Sequence, residues 1–257
     1  KNIKFSGLSY RMLLIGFHAV KGRIKVNSKT IEKIFISSSK NDKRVKELIL
    51  LAKNHKIPVM NMDPKQINQL AKNKKNNGFL AFAEELNTPE TMSDLIKFID
   101  TGQAVLPTLI FLDGITDPRN LGAIFRCADA AGVAAIIAPL NHSAPLNELA
   151  VKTSSGATDS VFYLRVPNIS RAIEYVQMKG YFVYGMDAQA NKDIFSENLN
   201  FSIAFVFGDE GGGLKYRTKE LCDELIKLPM HGLVESLNVS VACGISVFEV
   251  LRQKRSS

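Results

Sequence analysis

From Pro107 onward, unbroken apolar runs alternate with stretches in which apolar positions recur at helical spacing. Thr108–Asp113, apolar between its two polar ends, and Ala134–Ala138, Val161–Leu164, Tyr181–Gly185 and Ile203–Phe207 are such runs. Such runs are expected of strands in a parallel sheet covered on both faces. The helical patterns at Asn120–Ala131, Ile169–Lys179 and Leu214–Cys222 fall between them, which makes this part an α/β domain. A further strand is expected at Leu225–Met230. An apolar segment, Val241–Leu251, follows the small polar residues Ser236, Asn238 and Ser240, one of which suits a helix N-cap.

The first 85 residues carry shorter elements. An amphipathic helix is expected over residues 14–26, a strand over Ile34–Ser37, and a second helix over Lys43–His55 with Val45, Leu48, Ile49 and Ala52 on one face. Pro58–Asn61 reads as a short strand, and Asp63 followed by Pro64 as a helix start. A polar loop, Lys72–Gly78, precedes the apolar Phe79–Ala83. The pattern therefore divides the chain into a small α/β unit over residues 1–85, a linker over 86–106 that includes a helix from Pro89 to Asp100, and a larger domain over 107–257.

Charge sharpens that division. Residues 1–85 hold 18 Lys and Arg against 6 Asp and Glu, a net of +12, and residues 86–257 hold 15 against 19, a net of −4, which gives the whole-chain +8. The basic excess is confined to the first unit, as expected of a nucleic-acid-binding module whose phosphate contacts are salt-dependent. No run of about 18 apolar residues is present, and Lys1 to Lys4 do not open a signal-peptide pattern. Cys127, Cys222 and Cys243 have neither paired nor metal-type spacing, and the 4 histidines are scattered, so a reducing compartment and no metal site are expected.

Candidate chemistry gathers where strands end. Phe205–Phe207 runs into Gly208-Asp209-Glu210-Gly211-Gly212-Gly213, four glycines among six residues. Such a backbone can approach a ligand closely and present free amides. It is neither a dinucleotide fingerprint nor a P-loop. In a parallel sheet, ligands sit beyond the carboxyl ends of the strands, at Gly114–Arg119, Met186–Gln189 and Gly208–Gly213. The first of these loops leads to Asn120 at a helix mouth, with Arg126 about 1.7 turns further on. Arg126 shares its stretch with Leu121, Ile124 and Phe125, and an Arg buried there unpaired would be costly, so it either reaches outward or serves a site.

Asn120–Arg126, Phe207–Leu214 and Leu228–Ala242 resemble, in order and separation, the three motifs of the SpoU/TrmH family of SPOUT RNA methyltransferases. Ile15–Val20 and the basic unit to residue 85 resemble that family's amino-terminal substrate-binding module. With that module the chain is most similar to the branch that methylates a guanosine ribose in large-subunit (23S) rRNA. The resemblance implies a SPOUT domain with a parallel sheet and a trefoil knot. The activity it implies is methyl transfer from S-adenosylmethionine to a ribose 2'-hydroxyl. It also implies a cytoplasmic homodimer and no metal.

By motif position, Arg126 matches the catalytic arginine, Asn120 the first motif's asparagine, Glu210 the second motif's glutamate, and Ser236 with Asn238 the third motif's pair. Cofactor contacts are implied for Phe207, Gly208, Glu210, Gly212, Ile226, Leu228, Met230, Ser236, Leu237 and Asn238, with Met186, Asp187 and Ala188 on the adenosine side. Asp209 stands where many members carry asparagine. A tRNA 2'-O-methyltransferase and a catalytically idle RNA-binding assembly factor on the same scaffold are the alternatives.

Overall fold

The computed structural model describes residues 11–84, 91–101, 106–209 and 211–255. The chain divides into two compact units, Lys1–Thr88 and Pro89–Ser257.

The first unit is a four-stranded sheet in the order β1-β4-β2-β3. Its strands are β1 (Arg11–Ile15), β2 (Ile31–Ser37), β3 (Val59–Met62) and β4 (Phe79–Glu84), joined through α1 (Phe17–Asn27), α2 (Lys43–Asn54) and α3 (Pro64–Leu70). The helix expected over residues 14–26 is corrected at its start. Leu13, Leu14 and Ile15 pair antiparallel with Phe82, Ala81 and Leu80 of β4. Gly16 then turns the chain at φ 99° and donates its amide to the Phe79 carbonyl. That backbone region is open to glycine, so the helix begins only at Phe17. The Asp63 reading holds, since its carboxylate accepts from the Lys65 amide with Pro64 at the first helical position. Val20, Ile24, Ile34, Leu48 and Phe79 pack this unit's core.

The second unit opens with α4 (Met92–Asp100), which lies inside the stretch expected as a linker. Leu95 and Ile96 of α4 are buried in the second unit's core, so this helix is part of that core. Residues 86–90 and 102–105 of the linker reading lie outside the described residues, and Leu106 already belongs to the first strand of this unit's sheet.

A parallel sheet of seven strands follows, in the order β7-β6-β5-β10-β8-β11-β9. The strands are β5 (Leu106–Asp113), β6 (Val133–Pro139), β7 (Phe162–Val166), β8 (Phe182–Met186), β9 (Lys192–Asp193), β10 (Ile203–Gly208) and β11 (Glu224–Lys227). The helices are α5 (Pro118–Ala131), α6 (Glu148–Ser154), α7 (Ile169–Met178), α8 (Tyr216–Leu221) and α9 (Val239–Arg255). Ile110 and Leu112 of β5 face a core with Leu121, Phe125, Val239 and Val247. Leu109 and Phe111 of the same strand face another with Leu95, Ile173 and Val176. This two-sided burial explains the unbroken apolar runs.

The expected strand Leu225–Met230 is shorter, because the chain leaves the ladder after Lys227. Pro229, with no amide hydrogen, cannot continue it. Residues 228–238 form no helix or strand.

Candidate functional site

The loop after β10 is closed on itself by backbone. Asp209 and Gly213 exchange amide-to-carbonyl hydrogen bonds at 3.1 and 2.8 Å. A Cβ built on Gly208 would lie 2.1 Å from the Gly213 carbonyl carbon, so only glycine fits where the two ends of the loop cross. Gly211, Gly212 and Gly213 are exposed, and Leu214 is buried against the second unit's core. Glu210 lies outside the described residues.

A cavity of about 660 Å³ opens beside this loop at the carboxyl end of the sheet. One wall is Met186, Asp187 and Ala188 at the end of β8, and the floor is Phe207, Gly208 and Gly212. The other wall is Leu228, Met230, Ser236 and Leu237, with Val239 and Ala242 at the start of α9. Gln189, Asp209, Lys219, Lys227 and Glu235 also line it. Gln189, Asp209 and Glu235 fall within stretches that the sequence analysis named, without being named as contacts themselves, whereas Lys219 enters from α8 and Lys227 from β11, where no spacing marks a side chain that reaches in. Ile226 is absent from the wall: its side chain is fully buried in the core, and its carbonyl accepts the Asp187 amide at 2.9 Å. The loop Gly114–Arg119 also lies away from this cavity's lining.

Asp187 is held in place from several sides. Its carboxylate meets Lys219 Nζ at 2.5 Å and accepts the Gln189 amide at 3.0 Å. Burial pushes the Asp187 carboxyl up, but the Lys219 ammonium and the Gln189 amide outweigh it and hold the group below its ordinary value. Asp187 is therefore ionised at neutral pH and paired with Lys219 in the cavity lining.

The polar motif residues gather where two helices begin. The cap of α5 is Asp117, which accepts from the Arg119 amide at 2.8 Å, so Asn120 stands in the first turn and is not the cap. Asn238 Nδ2 donates to Asn120 Oδ1 at 3.0 Å, while Asn238 Oδ1 accepts from the Ser240 amide and hydroxyl at 2.9 and 2.6 Å. Asn238 thus caps α9 and ties it to the start of α5. Ser236 is exposed at the cavity rim and Arg126 is exposed on α5. Cys127, its neighbour, points its thiol at the Ser240 carbonyl, 3.9 Å away, and burial pushes that thiol up against the opposing pull of Arg126.

The first unit has a concavity of its own, of about 520 Å³, between the loops 37–40 and 73–78. Lys40, Lys74 and Lys75 line it. Its frame is the buried Asn76, which donates to Asn68 Oδ1 at 2.8 Å and accepts the Gly78 amide at 2.7 Å.

Comparison with known proteins places this architecture. The model of the SpoU rRNA Methylase family matches residues 107–248, and that for RNA 2'-O ribose methyltransferase substrate binding matches residues 13–89. The chain is 37% identical to the 23S rRNA (guanosine-2'-O-)-methyltransferase RlmB of Ralstonia nicotianae, covering 96% of this chain and 98% of that protein. It is 38% identical to the protein of the same name from Coxiella burnetii, over 95% and 96%.

Among solved structures, the SpoU methyltransferase AviRb of Streptomyces viridochromogenes, in complex with AdoMet, aligns with a TM-score of 0.64 at 21% identity, over 96% of this chain and 92% of that one. A TrmH/SpoU tRNA modifying enzyme of A. aeolicus aligns with a TM-score of 0.55 at 26% identity, over 63% and 85%. By the extent of the family match and the identity to full-length relatives, the chain belongs to the SpoU rRNA methylase family.

Proposed function

We propose that the protein methylates a ribose 2'-hydroxyl in ribosomal RNA with S-adenosylmethionine as methyl donor, at a guanosine of 23S rRNA. The observation that carries this is agreement along the whole chain: relatives named for that reaction match both units, over about nine-tenths or more of each protein. The tRNA-modifying structure aligns with only 63% of the chain, which favours rRNA over the tRNA alternative.

The cavity suits the donor. Its volume lies in the range of ligand pockets. Met186, Leu228, Met230 and Leu237 offer apolar surface for an adenine ring, and Asp187 and Glu235 offer acceptors for hydroxyl or ammonium groups. Gly212 leaves open space where a side chain would stand. When bound, S-adenosylmethionine supplies an electrophilic methyl carbon on a positively charged sulfur. The protein's own task is to align a weak nucleophile and stabilise the charge it develops.

Arg126, exposed and cationic, is assigned to the 2'-oxygen. A guanidinium stays protonated in proteins, so its contribution is hydrogen bonding and positive charge toward a developing alkoxide rather than proton removal. Asn120 and Asn238 hold the starts of α5 and α9 together, Ser236 borders the cavity, and Glu210 is assigned with them to the orientation of Arg126 and the loop. Because the nucleophile is the 2'-hydroxyl, a 2'-deoxyguanosine at the target ends the reaction.

The amino-terminal unit, with the lysines of its concavity, is assigned to RNA backbone contact. The trefoil knot belongs to this reading and is supported by α9 returning against α5 and β10 after the irregular segment 228–238; an experimentally phased backbone that pulls straight from its two ends would contradict it. The homodimer belongs to it as well, supported by Val241 and Phe248 of α9, which stand 49% and 47% exposed. Light scattering at a single 28.4 kDa mass together with full activity would contradict the dimer. The described residues contain no helix long and apolar enough to cross a membrane, and we place the protein in the cytoplasm with its RNA.

The test is to incubate unmethylated 23S rRNA and bulk tRNA separately with the protein and S-adenosylmethionine, then digest to nucleosides for mass spectrometry. 2'-O-methylguanosine in 23S rRNA is the expected product. Methylation confined to tRNA would overturn the substrate, and cofactor binding with no methylation of either would support the idle scaffold.

A further inference from the structure

A carboxylate beneath the glycine loop lies outside the cavity and outside the three motif stretches. Asp113 ends β5 in register with Gly208, the residue at which the loop begins. Its side chain is wholly removed from solvent. A buried carboxylate without partners is strongly disfavoured, and Asp113 has two: Lys215 Nζ at 2.8 Å and Thr218 Oγ1 at 2.7 Å. Both lie just after the loop. One carboxylate therefore joins the strand beside the loop's entry to the helix at its exit, across 102 and 105 positions of sequence. Between these points the exposed glycines contribute no packing, and Leu214 is the residue buried in the core. The same short helix, α8, sends Lys219 to Asp187 on the facing wall of the cavity. This stretch, Lys215–Lys219, is thus fastened both to β5 and to the Asp187 wall of the cavity.

We propose that Asp113 is a positioning residue for the cofactor loop: through Lys215 and Thr218 it fixes the backbone of residues 211–214 in the conformation that receives S-adenosylmethionine. This rests on the reading of the cavity as the S-adenosylmethionine site. Loss of the tether leaves the loop to be ordered at the moment of binding, so affinity falls. The methyl-transfer step at saturating cofactor is preserved, because Asp113 touches neither reactant.

The experiment uses the full chain with the substitutions Asp113→Asn and Lys215→Met. Calorimetric titration with S-adenosylmethionine is paired with steady-state kinetics on 23S rRNA. Both variants are expected to raise the Kd and the KM for S-adenosylmethionine about tenfold while kcat stays within about twofold. Lys215→Met leaves the buried Asp113 carboxylate with Thr218 as its one remaining partner of the two, so where either single variant fails to fold, the double variant Asp113→Asn/Lys215→Met, which buries no unpaired charge, carries the same test. Unchanged Kd and KM in the folded variants, with only a lowered Tm, would show a purely structural carboxylate and overturn the inference. A wild type that binds no S-adenosylmethionine would overturn both this inference and the reading beneath it, whereas wild-type binding with unaltered variants overturns this inference alone.

Discussion

Gly208 shows how far one residue type constrains the site. An added methyl would sit within 2.1–2.3 Å of three backbone atoms of Gly213 and Leu214, and backbone cannot step aside as a flexible side-chain end does. Gly208→Ala is expected to lower stability by about 1–3 kcal/mol and to weaken S-adenosylmethionine binding, as read by urea unfolding and calorimetry; a variant with wild-type values in both would contradict the loop geometry.

Asp187 makes a prediction about pH. Its carboxyl is held below the ordinary value. Its contribution to stability is therefore fully present above the unfolded value of about 4 and is lost as pH falls through the lowered folded one. The Tm difference between wild type and Asp187→Asn should be constant from about pH 6 to about pH 8 and should close in acid. A difference that grew on acidification would contradict the ion pair with Lys219. The buried thiols behave in the opposite sense: burial, with the charges of Asp223 and Asp113 adding to it, pushes Cys222 up to about 12, and burial raises Cys243 well above its usual value. Both stay protonated at neutral pH, in keeping with packing residues.

Among elements, the junction of α5 and α9 ties the motif residues together. A double-mutant cycle on Asn120→Ala and Asn238→Ala should give a coupling of about 0.5–1.5 kcal/mol in unfolding free energy; additive effects would mean the hydrogen bond between them carries no weight. That contact links residues 118 positions apart, and it marks the boundary of what the sequence can express. Local chemistry was legible: the Asp63-Pro64 helix start, the glycine loop after an apolar strand, and the parallel sheet read from doubly buried runs. Pairing across the fold was not. Leu14 and Ile15 read as helical until β4, far along the chain, is there to pair with them. The helix Met92–Asp100 reads as part of a linker until Leu95 and Ile96 are seen in the second unit's core. In the candidate site, motif position pointed to the glycine loop and both walls, whereas Lys219 and Lys227 enter from elements with no marking pattern.

At the scale of the whole molecule, charge and chemistry are assigned to different units. The first 85 residues carry a net of +12 and the remainder a net of −4, so RNA affinity should fall steeply with salt while S-adenosylmethionine affinity changes little. Neutralising Lys40, Lys74 and Lys75 together should reduce the slope of log affinity for RNA against log salt by about 2 to 3, at roughly 0.7–0.9 per phosphate contact. An unchanged slope would move the RNA contact away from that concavity.

The central claim is that Arg126, exposed on α5, serves methyl transfer to rRNA rather than the fold. Its most direct test is transfer from radiolabelled S-adenosylmethionine to total RNA from a strain lacking the enzyme, with wild type and Arg126→Ala compared at equal folded concentration. The account predicts label in large-subunit rRNA with wild type, and a rate about 10²–10³-fold lower in the variant with Tm and cofactor affinity unchanged. Equal labelling by the two proteins, or none by wild type, would contradict it.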